Sequence, residues 1–305
     1  RTYSKRGHLH SAEMAPSHKP PQQLHLIRCL FQIKIGGKLM LRVGILQLDV
    51  QVGDRKANFS RVNELLSRAF VPSKLPTAIV LPELWDTGYA LEKAQALASD
   101  EGKETATFLG DLAKKYNTWF IGGSTLAKTS AGIKNRAQVI DPRGELIAYY
   151  DKVHRFPLMD EDKYLAPGDR DCIFNWEGFE SGCVICYDLR FCEWIRCYAL
   201  KGVKALFISA EWPAARAKHW DILLKARAIE NQMYVISCNR CGTTEKDTFD
   251  GGSLVVDPWG EVLLDAGNLE GLWFVDIDIS KVDQARSTVP VFKDRVPHLY
   301  KVLGP

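Results

Sequence analysis

From Met40 onward, short apolar runs alternate with segments of helical periodicity, and two hairpins built on nearly the same turn interrupt the alternation. Residues 41–48, 77–81, 118–122, 183–186, 205–209, 234–238 and 272–279 read as strands, each a short apolar run. Between them, 56–70, 102–116, 188–200 and 218–233 read as helices; the first carries Phe59, Val62, Leu66 and Ala69 on one face. The hairpins are 137–140 with 145–150 around Asp141-Pro142-Arg143-Gly144, and 253–256 with 261–264 around Asp257-Pro258-Trp259-Gly260. Proline second and glycine fourth suit a tight turn between strands. Alternating strands and helices joined by two hairpins predict two packed sheets with helices outside them: a layered α/β sandwich, not a simple doubly wound sheet.

Composition narrows the function classes. The 305 residues are 25% charged and 46% hydrophobic, ordinary for a globular chain. The net charge of +3 is uneven: residues 1–39 hold seven basic residues and one acid, which leaves the rest mildly acidic. That argues against a nucleic-acid footprint. No apolar stretch reaches the 18 or so residues of a membrane-spanning helix. Eight cysteines in a chain this long suggest reduced thiols and a cytoplasmic setting. Residues 1–39 begin at Arg1, carry Pro16, Pro20 and Pro21, and lack periodicity. They read as a disordered leader, a targeting remnant or an appended tail, with organellar import open. Residues 40–305 read as one domain.

Three residues sit where chemistry gathers in α/β proteins, at strand ends. Cys186 closes the run 183–186 just before a helical segment. Free N–H groups and the helix dipole there are expected to lower its thiol pKa and to hold an oxyanion. Glu83 follows the strand 77–81, beside Pro82 and Trp85; desolvation is expected to raise its pKa into the range of a general base. Lys152 ends the first hairpin and offers a cation for an oxyanion.

A glutamate, a lysine and a cysteine in this order resemble the carbon–nitrogen hydrolase (nitrilase) superfamily. The resemblance runs from about Leu41 to Leu299 and rests on LPELWDTGY (81–89), DKVHRFPLMDEDKYLAPGD (151–169), CYDLRFCEWIR (186–196) and ARAIENQ (226–232). It implies a four-layer α-β-β-α sandwich, with Glu83 as general base, Lys152 at the oxyanion, Cys186 as nucleophile and Glu161 as the second glutamate that orients the lysine and the substrate amide. The Tyr187 backbone N–H then joins Lys152 at the oxyanion. The run LFISAEWPAARAKHW (206–220) is similar to omega-amidase-type enzymes, including the bacterial amidases of methionine salvage, and implies a 2-oxo-acid ω-amide such as 2-oxoglutaramate as substrate. Nitriles, N-carbamoyl amines and deaminated glutathione would use the same triad. A catalytically silent binding protein is the reading from another class.

The resemblance implies no cofactor and no metal. The chain carries no glycine-rich phosphate loop after a strand. Cys183-x-x-Cys186 and Cys238-x-x-Cys241 look like halves of a zinc site, but thiols three apart on a strand point to opposite faces. Trp212, Arg216 and His219 follow the strand 205–209 and are expected at the pocket rim, with Arg216 suited to a substrate carboxylate. His154 is expected in a structural or pocket contact, and Asp188 to pair with Arg190. The family implies a homodimer, with Val291, Phe292, Tyr300 and Val302 as a candidate contact arm.

Overall fold

The computed structural model describes residues 34–35 and 38–300. The leader expected over 1–39 lies outside these apart from its last residues. Those four are strand: β1 (Lys34–Ile35) pairs antiparallel with β2 (Lys38–Gln47), so the first long strand starts two residues before Met40.

The chain then runs through α1 (Arg55–Ala69), β3 (Thr77–Val80), β4 (Ser99–Asp100), α2 (Lys103–Tyr116), β5 (Trp119–Thr129), β6 (Gly132–Ile140) and β7 (Leu146–Asp151). Next come β8 (Ile173–Trp176), β9 (Phe179–Ile185), α3 (Cys192–Leu200), β10 (Ala205–Ala210), α4 (Ala217–Asn231) and β11 (Tyr234–Asn239). A small hairpin, β12 (Cys241–Thr243) and β13 (Thr248–Asp250), precedes β14 (Leu254–Val256), β15 (Val262–Asp265), β16 (Gly271–Asp278) and α5 (Ser280–Thr288).

Two sheets share one plan. The first is ordered β16-β2-β3-β5-β6-β7 and the second β8-β9-β10-β11-β14-β15. In each, the first pairing is antiparallel, the next two are parallel, and the last two are antiparallel. The parallel steps are crossed by helices, α1 and α2 in one half, α3 and α4 in the other. Strand β3 shows why layers form. Ala78 and Val80 point into the core between the sheets, while Ile79 and the following Leu81 meet Val62 and Leu66 of α1 and Leu109 and Leu112 of α2. Side chains alternate across a strand, so an apolar run with no polar face needs cover on both sides. The result is the α-β-β-α sandwich.

The repeated turn is repeated in detail. Asp141 Oδ1 accepts from the N–H groups of Arg143 (3.0 Å) and Glu145 (3.1 Å), and Asp257 Oδ1 from those of Trp259 (2.9 Å) and Glu261 (3.1 Å). Elsewhere boundaries move. The strand expected over 118–122 continues to Thr129, because Gly122-Gly123 is a bulge and not an end: the β5–β6 register shifts between Ile121 and Ser124. Both glycines have positive φ, and a Cβ on Gly122 would lie 2.7 Å from Ser209 Oγ. The helix expected over 188–200 is split: Cys186–Arg190 is a 3-10 turn and α3 starts only at Cys192.

At the C-terminal end Phe292 packs on its own sandwich, under the guanidinium groups of Arg196 and Arg286, while Val291 and Tyr300 are exposed. Val302 lies outside the described residues. Among the described residues no helix is long and apolar enough to cross a membrane.

Candidate active site

Strand ends from both sheets meet at one place. Glu83 follows β3, Lys152 follows β7 and Cys186 follows β9. Glu161 opens the single-turn helix Glu161–Tyr164. Lys152, Glu83 and Glu161 are buried together: Lys152 Nζ donates to Glu83 Oε1 (2.7 Å) and to Glu161 Oε1 (2.6 Å). A buried ion pair needs this kind of dense bonding to offset desolvation.

Each carboxylate has further donors. Glu83 Oε1 also accepts from Tyr89 Oη (2.7 Å) and Asn135 Nδ2 (2.8 Å), and Oε2 from the Glu211 N–H (3.0 Å). Glu161 Oε1 meets Tyr89 Oη, and Oε2 accepts from the Phe156 N–H (2.8 Å). Tyr89 and Asn135 are site residues that sequence reasoning missed. Tyr89 ends the motif LPELWDTGY and so was in view; Asn135, inside a strand, gives no local signal.

The electrostatics reverse two expectations. Burial pushes Glu83 up, but the Lys152 charge and the hydrogen bonds from Lys152, Tyr89 and the Glu211 N–H bring it below the ordinary glutamate value. Glu161, sharing the same ammonium, is held above it by burial against Lys152, with the Glu83 charge adding to burial. Lys152 is raised: burial opposes its charge, but Glu161 and Glu83 outweigh that. The Cys186 thiol is raised well above its ordinary value, by burial first and the Glu83 charge second, with Lys152 pulling the other way. So the resting site pairs an ionised Glu83 with a neutral thiol, not a raised base with a thiolate. The expected helix dipole is also missing at Cys186, since only a 3-10 turn begins there.

That turn is held tightly. Cys186 is left-handed, with φ of 47°, which costs a side-chain-bearing residue about 1–2 kcal/mol. Asp188 holds the turn: Oδ2 accepts from the Ile185 N–H (2.9 Å) and Tyr150 Oη (2.9 Å). Its Oδ1 takes the His154 N–H (3.1 Å) and pairs with the His154 ring at Nδ1 (2.7 Å). The expected Asp188–Arg190 pair is therefore replaced by Asp188–His154, because Arg190 turns outward over the Trp212 ring, 4.5 Å from its centroid.

One cavity opens on the thiol. Phe156, Cys186, Tyr187, Arg190, Glu211, Trp212, Pro213 and Arg216 line it. Tyr187, Trp212 and Arg216 are among these lining residues, and the guanidinium of Arg216 lies over Phe156. His219 does not line the cavity; its Nδ1 accepts from Arg190 Nη2 (3.4 Å). Neither Arg190 nor Arg216 is paired with a carboxylate among the described residues, and the Arg190 pKa is lowered, by burial first and then by the Arg216 charge. Two unpaired guanidiniums at a cavity wall suit an anionic ligand group.

A thiol in a cavity wall, with a carboxylate and an ammonium buried close to it, can carry acyl transfer without leaving protein side chains for the work, and on this sandwich that is the class of a thiol-dependent hydrolase. The chain belongs to the carbon–nitrogen hydrolase family, which it matches over residues 42–287, and it is a hydrolase acting on carbon–nitrogen bonds. It is 40% identical over 258 residues to a 2-oxoglutaramate amidase of Bacillus subtilis, covering 85% of this chain and 98% of that one. Among solved structures it is similar to XC1258 of Xanthomonas campestris, a superfamily protein with an arsenic adduct in its active site: TM-score 0.79, 28% identity, 87% of this chain and 99% of that one. It is also similar to an amidase from Nesterenkonia sp. AN1 that carries the acetamide moiety of fluoroacetamide on its active-site cysteine: TM-score 0.72, 25% identity, 84% of this chain and 97% of that one.

Proposed function

We propose that the protein is an amidase that hydrolyses the ω-amide of a small 2-oxo acid, such as 2-oxoglutaramate, through a thioester on Cys186 and releases ammonia. The observation that carries this reading is the Glu83–Lys152–Glu161 cluster buried beside a cysteine whose cavity is walled by Arg190 and Arg216.

The charges suggest the order of events. Glu83 starts ionised beside Lys152, and the thiol starts neutral. As sulfur attacks the amide carbon, its proton passes to Glu83, and the negative charge appears on the amide oxygen. The charge stays near Lys152 throughout, so the ammonium stabilises the oxyanion as it had stabilised the carboxylate. The Tyr187 N–H, in the first turn after the strand, is a second donor for it. Protonated Glu83 then hands its proton to the leaving nitrogen, and the resulting carboxylate activates water against the thioester. Glu161 acts through Lys152, whose ammonium it holds by a hydrogen bond. Arg190 and Arg216 bind the substrate carboxylate, at the opposite end from the amide.

The amidase of Bacillus subtilis named for 2-oxoglutaramate supports the substrate, and the cysteine adduct in the Nesterenkonia amidase supports the nucleophile. Seven cysteines without disulfides among the described residues support a reducing, cytoplasmic setting. The exposed Val291, Leu299 and Tyr300 support a homodimer contact at the C-terminal end. The test of the function is ammonia release from 2-oxoglutaramate, glutamine, a simple nitrile and a carbamoyl amino acid, by wild type and Cys186→Ala. Release from the oxo-amide that the mutant loses supports the proposal. Preference for another panel member moves the substrate, and no release from any points to a protein that binds without turnover.

A further inference from the structure

Glu211 follows β10 directly and lines the cavity that holds Cys186. It is 1% exposed. Its Oε2 accepts from Arg240 Nη1 (3.0 Å), and Arg240 is itself fixed by the Val50 carbonyl (2.8 Å) and by Phe249 beneath its guanidinium. Its Oε1 has no hydrogen-bond partner among the described residues. An unbonded carboxylate oxygen in a buried wall is expensive. The other two buried glutamates differ: both oxygens of Glu83 and both of Glu161 already accept from protein donors. A primary amide brings two N–H groups into this site, and Glu211 Oε1 is the carboxylate oxygen in the cavity wall without a donor.

We propose that Glu211 is a substrate-binding, specificity-determining residue whose Oε1 accepts a hydrogen bond from the nitrogen of a bound primary amide, turning that nitrogen toward Glu83 and selecting amides over esters. This rests on the amidase reading. The placement fits, because the Glu211 N–H holds Glu83 Oε2 at 3.0 Å and so fixes the acceptor next to the proton donor for the leaving group. An ester presents an oxygen to Oε1 instead of an N–H, and two acceptors repel. Burial, opposed by Arg240 and reinforced by Glu83, pushes the Glu211 carboxyl up to about 7. The acceptor form therefore grows in as pH rises through neutrality.

The test compares 2-oxoglutaramate with the methyl ester of the same skeleton, using the full-length enzyme. In Glu211→Gln, the amide can meet an N–H2 group where Oε1 stood, while the Gln oxygen turns to Arg240. The ratio of kcat/KM for amide over ester is expected to fall roughly 10–100-fold, the worth of one hydrogen bond to a charged group. In wild type the same ratio should climb between about pH 6 and 8 and be flat in Glu211→Gln. The pH series on wild type needs no variant, so it stands even where Glu211→Gln folds poorly. An equal fall on amide and ester, or a wild-type ratio that ignores pH, overturns the proposal and leaves Glu211 as a support for Glu83. Wild type that releases no ammonia from any primary amide overturns the amidase reading, and this one with it.

Discussion

Glu83 and Glu211 stand at the same place in the two halves of the sandwich and live in opposite surroundings. Each follows the strand that is third in its sheet, β3 or β10, and the two are tied together: the Glu83 N–H donates to the Ala210 carbonyl (3.3 Å) and the Glu211 N–H to Glu83 Oε2. Glu83 takes four donors and faces an ammonium, so it is held ionised. Glu211 takes one guanidinium N–H and is pushed toward the neutral form. One backbone plan thus supplies two carboxylates, and the neighbours decide which is held ionised and which is pushed toward the neutral form. Position in the fold brings a side chain to the site, while the donors around it set its chemistry.

Mutations can break this comparison from the strongest effect downward. Cys186→Ala removes the proposed nucleophile and should cost roughly 10⁴-fold or more in ammonia release, measured by steady-state kinetics. Glu83→Gln should approach that loss, on the order of 10³-fold, whereas Glu211→Gln should lose only roughly 10–100-fold on the amide. Equal losses would erase the distinction between the two glutamates. Arg216→Ala should raise KM for 2-oxoglutaramate roughly 10-fold with little change in kcat, and leave KM for a neutral amide alone. Arg190→Ala should act the same way. An unchanged KM in both would remove the carboxylate subsite.

Stability sharpens the comparison further. Glu211 is raised from 4.5 to about 7, so its favourable contribution is fully present below 4.5 and is lost as pH rises through about 7. Glu83 is lowered, so its contribution is present above the ordinary glutamate value and is lost as pH falls through its own folded pKa. Between about pH 5 and 8, wild type should lose on the order of 1–3 kcal/mol more than Glu211→Gln, read from denaturant melts. The smallest effect is at the paired turns. Asp141→Ala and Asp257→Ala each remove the one oxygen that accepts from two backbone N–H groups and should cost about 1–2 kcal/mol apiece. A large inequality would mean that the two halves are matched in plan but not in energetics.

Much of this was legible in the sequence where local signals coincide. The two Asp-Pro-x-Gly turns, the uninterrupted apolar strands and the strand-end positions of Glu83, Lys152 and Cys186 all follow from short patterns. The rest depends on what arrives from elsewhere in the chain. Nothing near Asn135 or Glu211 announces that one will meet Glu83 and the other Arg240. The thiol shift runs opposite to expectation because burial, and then the Glu83 charge, raise it; the Glu83 shift does so because Lys152 and the donors around it outweigh burial; and the helix expected to activate Cys186 starts only at Cys192. Gly122-Gly123 looked like a strand end because a bulge and a terminus share the same local signature.

On the proposed mechanism the acyl group of the amide passes through Cys186. The most direct test is mass spectrometry of wild-type enzyme acid-quenched during turnover of 2-oxoglutaramate, followed by peptide mapping. An adduct of substrate minus ammonia is expected on the peptide holding Cys186; it should disappear once substrate is consumed and never form in Cys186→Ala. Turnover with no adduct on that peptide, or turnover that survives Cys186→Ala, would contradict it.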